Sequence, residues 1–119
     1  MKPKAREIAL LAAKIAFEKK ASDIKILDLR ELTGITDFFV LCSGNLDVHV
    51  KAIGDAIQES LEKKKVKVWH QEGYAALKWV LLDYVDVVVH IFQEEVRDFY
   101  GLDRLWGDAV AVDPVPADA

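Results

Sequence analysis

The spacing of apolar and polar positions changes several times along the chain, and each change marks an element. Over residues 4–20, Ile8, Leu11, Ala12 and Ile15 recur every three or four positions, which predicts an amphipathic helix. Leu10 and Phe17 widen its stripe toward a second face. Residues 24–29 alternate as a strand, with Ile24, Ile26 and Asp28 on one side. After a connection over 30–37, the unbroken apolar run 38–42 has the length of a central strand. Ser43-Gly44-Asn45 closes it, and Asn45 or Asp47 is placed to cap a second helix. That helix runs to about residue 64 along Leu46, Val50, Ile53, Ile57 and Leu61. Lys63, Lys64 and Lys65 suit its carbonyl end as solvated charges. Val66 and Val68 alternate with Lys65, Lys67 and Trp69, predicting a third strand over 66–71, and Glu72-Gly73 turns the chain.

The densest pattern lies between Trp79 and Trp106. Two runs rich in β-branched and aromatic residues, 79–82 and 87–92, flank the short break Asp83-Tyr84-Val85-Asp86, as in two buried strands joined by a tight turn. The period then becomes helical through Val96, Phe99, Leu102, Leu105 and Trp106. Beyond Trp106 periodicity is lost, and Pro114 and Pro116 forbid a regular helix, so 110–119 reads as a loose tail behind a single domain over 1–109. The expected order is α-β-β-α-β-β-β-α: an α/β domain with a mixed five-stranded sheet and flanking helices.

Composition narrows the function classes. A chain of 119 residues, 52% hydrophobic and 30% charged, is long enough to bury a core. One cysteine, Cys42, rules out an internal disulfide framework and fits a reducing compartment. No apolar run is long enough to span a bilayer. The basic start resembles a targeting segment only superficially, because its apolar run is six residues and ends at Lys14. The net charge of −4 is unevenly spread. Residues 1–20 hold six basic and two acidic side chains, and residues 83–119 hold two basic and nine acidic. An acidic third that also carries aromatics suits a basic protein partner and not a direct grip on nucleic acid, though solubility alone would also account for the charge.

Candidate chemistry is sparse. His49, His70 and His90 lie about twenty residues apart without metal-ligand spacing, and Cys42 has no companion, so neither a zinc site nor another cofactor is expected. His90 inside an apolar strand reads as a hydrogen-bonded core histidine, and Cys42 as a small buried hydrophobe. Ser43-Gly44 at a helix start could hold phosphate, and with Asp83 and Asp86 on magnesium it would give a metal-dependent nucleotidyltransferase. Asp83 and Asp86 form no Asp-x-Asp pair and no glycine-rich loop accompanies them, so a plain helix-start turn is the preferred reading. In the strand over 78–83, Trp79, Leu81 and Asp83 share one face, with Lys78, Val80, Leu82 and Tyr84 on the other. If one face is open it is an aromatic-aliphatic patch ending in carboxylates, the makings of a protein-binding hot spot. If helices cover both, it is core.

The run WVLLDYVDVVVHIF, the later RDFYGLDRLW, ITDFFVLCSG at 35–44, VKAI at 50–53 and Glu72-Gly73 together resemble the ribosomal silencing factor family, also called Iojap-like, from about Ala5 to Ala109. That resemblance implies a nucleotidyltransferase-like fold without retained catalysis. It also implies a cytoplasmic protein that binds the large ribosomal subunit through large-subunit ribosomal protein fourteen. Subunit joining is thereby blocked and translation repressed, notably under nutrient limitation. Carried over, the contact surface centres on Trp79, Leu81, Asp83 and Tyr84, with Asp86, Arg97, Tyr100 and Trp106 in second rank. A homodimer on the same sheet surface is compatible, and neither a membrane nor sequence-specific nucleic acid is implied. The chain departs from the family pattern at Val85, where glycine is usual and a positive φ is expected, so the turn is either of another type or strained. Asn45-Leu46-Asp47-Val48 also replaces small hydroxyl residues after the Ser-Gly, which weakens a phosphate-binding role.

Overall fold

The structure, a computed structural model, describes residues 3–113. Its elements are α1 (Ala5–Glu18), β1 (Ser22–Asp28), β2 (Phe38–Gly44), α2 (Asp47–Lys63), β3 (His70–Glu72), β4 (Trp79–Asp83), β5 (Val87–Gln93), α3 (Glu94–Tyr100), α4 (Leu102–Leu105) and β6 (Val110–Val112). The strands form one mixed sheet in the order β3-β4-β5-β2-β1-β6. Only β2 and β5 run parallel, aligned from Phe38 opposite Val87 to Gly44 opposite Gln93; the other neighbours are antiparallel.

Alternation along the strands sorts the side chains between two faces. Phe38, Val40 and Cys42 of β2, Val80 and Leu82 of β4, and Val87, Val89 and Ile91 of β5 point to one side, where α1 and α2 close the main core. The alanines Ala9, Ala12, Ala13 and Ala16 let α1 pack closely, while Val50, Ile53, Ile57 and Leu61 supply the buried stripe of α2. Cys42 is fully buried among them, and that burial pushes its thiol up to about 12, so it is an inert space-filler. The opposite face carries a smaller cluster of Leu27, Leu29, Leu41 and Phe92 under α3 and α4.

Both long helices end in the same way. The Ala21 amide donates to Ala16 and that of Lys20 to Phe17; the Val66 amide donates to Leu61 and that of Lys65 to Glu62. These are paired Schellman bonds, with Lys20 (φ 64°) and Lys65 (φ 63°) in the left-handed position usually given to glycine. The lysine run is therefore a helix exit, and Lys63 also pairs with Glu59 one turn back at 3.6 Å.

Four expectations are corrected. The sheet has six strands, because residues 110–112, assigned to the tail, pair with Ile26–Asp28 of β1; residues 114–119 lie outside the described part. The third strand begins at His70, since Val66 and Val68 leave the ladder to pack against the main core beyond the α2 exit. Neither Asn45 nor Asp47 caps α2: Leu46 holds the cap position without a side-chain bond, and Asp47 instead accepts from the Val48 amide. Finally, the single C-terminal helix is two. Gly101 at φ 66° ends α3 and starts α4, so the apolar positions over 96–106 wrap around a bend.

Candidate functional site

The residues expected at the site are separated by strand alternation. Trp79, Leu81 and Asp83 project from β4 on the α3/α4 side, each partly exposed, and face Phe92, His90 and Val88 across the ladder. The seven-residue α3 and four-residue α4 cover only part of this face. What they leave open is an apolar groove of about 210 Å³ lined by Leu29, Ile35, Phe39, Leu81, Val88 and Trp106, with Asp83 at its edge. Ile35, on the connection before β2, is 87% exposed there.

Aromatic rings form a continuous strip beside the groove. Tyr100 packs on Trp79 with centroids 4.6 Å apart, Trp79 stacks on Phe92 at 5.0 Å, and Phe39 meets His90 edge-on at 4.5 Å and Trp106 at 5.8 Å. The indole N–H of Trp79 donates to His90 Nδ1 at 3.1 Å, fixing both rings. His90 is thus a buried, hydrogen-bonded histidine, and burial pushes its pKa down to about 4, so it is neutral at pH 7.

Tyr84 is corrected from surface to core. At 8% exposure it lies with Val80 and Leu82 on the α1/α2 side, where burial pushes its phenol upward. Arg97, expected on the surface, is only 5% exposed. Its guanidinium donates to both Asp103 carboxylate oxygens at 3.0–3.1 Å, to Ser43 Oγ at 3.0 Å and to the Asp23 carbonyl. Lys25 adds a 2.9 Å bond to the same carboxylate. Hydrogen bonds from Arg97 first, and from Lys25 next, hold the Asp103 carboxyl down at about 2. Arg97 therefore fastens α3 and α4 to β1 and β2, and so positions Tyr100 and Trp106 on the strip.

Asp86 is exposed in the β4–β5 turn, where its carbonyl accepts from the Asp37 and Phe38 amides. Val85 at the centre of that turn has φ 76°, with the Asp86 amide donating to the Tyr84 carbonyl at 3.0 Å. This is a γ-turn of positive φ, the strained choice of the two alternatives for a β-branched residue. The Asp83 carboxylate accepts the Val85 amide at 2.7 Å and is held at the groove edge by it.

Ser43, Asp83 and Asp86 do not converge. Ser43 is level with Phe92 and Asp83 with Val88, four residues apart along β5, or about 13 Å. The Ser43 hydroxyl is taken by Arg97, and the Asn45 amide donates to His49 Nδ1 at 3.0 Å instead of standing free for a phosphate. His49 Nε2–H in turn donates to the Lys19 carbonyl at 2.7 Å, tying the end of α1 to the start of α2. Gly44 is favoured by packing, since a Cβ there would lie a tight 3.1 Å from a Val50 methyl and 3.2 Å from the Val50 nitrogen. No group of histidine, cysteine and carboxylate side chains among the described residues is arranged to hold a metal ion.

Seven groove residues were not among the expected contacts: Leu29, Thr33, Ile35, Thr36, Phe39, Val88 and His90. The signals were present, in an isolated isoleucine within a connecting segment and in the shared phase of Val88, His90 and Phe92 along β5.

The sequence profile of the family described as "Ribosomal silencing factor during starvation" matches residues 2–119. The ribosomal silencing factor of Bacillus subtilis is 38% identical over 108 residues, covering 91% of this chain and 92% of that protein. The chloroplastic Iojap protein of Arabidopsis thaliana is 35% identical over 105 residues, 88% of this chain and 44% of the plant protein. A crystal structure of a Chromobacterium violaceum protein is similar with a TM-score of 0.86 at 33% identity, covering 97% of this chain and 96% of that one.

Proposed function

The chain belongs to the ribosomal silencing factor family, and we propose that it represses translation by binding the large ribosomal subunit through ribosomal protein fourteen. Seated there, it blocks joining of the small subunit, most of all under nutrient limitation, and it does so by occupancy without catalysing a reaction. The observation that carries this reading is the half-covered sheet face. Leu81 and Trp106 line an apolar groove with Asp83 at its edge, Trp79 and Tyr100 continue the aromatic strip beside it, and Asp86 is exposed in the turn that follows Asp83. Aromatic anchors flanked by carboxylates suit a basic protein surface: the apolar contact gives affinity and the charges steer the encounter. The protein is expected to act in the cytoplasm; among the described residues no helix is long and apolar enough to cross a membrane. Metal-dependent nucleotidyl transfer is the weaker reading, because the serine and the two aspartates it needs stand apart.

Sedimentation with isolated large subunits, followed by addition of small subunits, tests the proposal. The protein should travel with large subunits and reduce the joined-particle peak. Failure to co-sediment contradicts the binding step; binding that leaves joining intact contradicts the blocking step.

A further inference from the structure

The groove contains a feature that an apolar contact surface does not need. Two of its lining residues, Thr36 at 6% exposure and His90 at 4%, keep a buried polar atom without a hydrogen-bond partner: Thr36 Oγ1 and His90 Nε2. The His90 tautomer is set by its other nitrogen. Because Nδ1 accepts the Trp79 indole N–H, the proton of the neutral ring sits on Nε2, which is an unused donor. An unpaired buried polar group destabilises a fold, and native proteins keep few of them. Two against one groove imply a ligand that completes them.

Size and charge select the ligand. At about 210 Å³ the groove falls below the roughly 300–1,000 Å³ of small-molecule and cofactor sites. It suits a single side chain presented by a macromolecule. Apolar walls ask for an aliphatic or aromatic group, the unused donor for a carbonyl oxygen, and the Asp83 carboxylate for a cation next to it.

We propose that the groove is a socket for one apolar side chain of the ribosomal partner, with a main-chain carbonyl of that segment accepting from His90 Nε2–H, the Thr36 hydroxyl bonding the same backbone, and a neighbouring lysine or arginine meeting Asp83. This deepens the function proposed above and rests on it. Affinity then depends on buried polar groups that the free protein leaves unsatisfied.

The test measures large-subunit affinity and melting temperature for wild type, Val88→Trp, Thr36→Val and His90→Asn. Val88→Trp fills the groove and should weaken binding thirtyfold or more. Thr36→Val keeps the shape and removes only the unpaired hydroxyl. It should melt at or above the wild-type temperature and bind about tenfold more weakly, a combination a purely structural threonine would not give. His90→Asn keeps an acceptor for Trp79, but its shorter amide places no donor at the Nε2 position, and it should also bind more weakly. If wild type binds while Thr36→Val or a folded Val88→Trp binds as tightly, the socket is wrong and the proposed function stands. If wild type does not bind, the functional reading falls and takes the socket with it. Sedimentation of the free protein covers the remaining occupant: self-association abolished by Val88→Trp would put a second copy in the groove and overturn the partner assignment.

Discussion

The two faces of the sheet are built from the same strands, residue by alternate residue, yet they do different work. On one face α1 and α2, 14 and 17 residues long, close over Val, Ile, Leu and Ala side chains. On the other, the 7- and 4-residue helices α3 and α4 cover a strip of Trp, Phe, Tyr and His and leave a groove. Both faces are apolar. What separates them is how much helix covers them and which side chains are used: branched aliphatics fill a sealed core, whereas aromatics with a polar edge suit a surface that is half sealed and half offered. Incomplete covering defines the site, and hydropathy along a strand does not record it.

The contrast is broken most severely on the sealed face. Ile53→Ala removes a fully buried side chain and should cost about 3 kcal/mol in urea unfolding, leaving large-subunit affinity of the folded fraction unchanged. Asp103→Ala tests what holds the half-cover on. It strips the carboxylate from the buried Arg97 guanidinium and should also cost about 3 kcal/mol, at the low end for a broken buried pair because Asp103 retains some solvent. Here affinity should fall too, since α3 and α4 carry Tyr100 and Trp106.

Acid should separate the same two regions. His90, depressed to about 4 by burial, contributes stability that is complete above its unfolded value of 6.5 and is lost progressively as pH falls toward 4, by up to about 3 kcal/mol. Asp103, depressed to about 2 by its hydrogen bonds from Arg97 and Lys25, contributes in full above 3.8 and loses that contribution only as pH falls toward 2. Thermal melts from pH 7 to 2 should therefore show a first decline between 6.5 and 4, reduced in His90→Asn, and a further one below 4, reduced in Asp103→Ala but not abolished, because the hydrogen bond from Arg30 also holds Asp28 below its ordinary value. The smallest effect is at the hairpin: Val85→Gly relieves the positive φ and should raise stability by about 1 kcal/mol after glycine's own entropic cost.

Much of this was legible in the chain. The α2 stripe, the central strand from Phe38 and the β4–β5 hairpin each follow from an unambiguous period. Alternation also placed Tyr84 with Val80 and Leu82, as the structure does; it was the family resemblance, which carries no face, that moved Tyr84 to the surface. β3 was misplaced because Val66 and Val68 alternate with lysines like a strand, although their alternation serves a helix exit packed on the core. β6 was missed because three residues against a sheet edge carry too little pattern, and their pairing depends on β1, far away in sequence. The Arg97–Asp103–Lys25 fastening was hidden for the same reason: it joins positions 78 residues apart, and an arginine within a helix reads as solvent-facing until its partners are seen.

The most direct test of the half-covered face is the dissociation constant of Trp79→Ala for isolated large ribosomal subunits, measured beside wild type. Trp79 touches Tyr100, Phe92 and His90, so its loss removes the centre of the strip. Losing such an anchor is expected to cost about 2 kcal/mol, a weakening of roughly thirtyfold, with the fold retained. A folded Trp79→Ala protein that binds within twofold of wild type would contradict the assignment of this face to the ribosome.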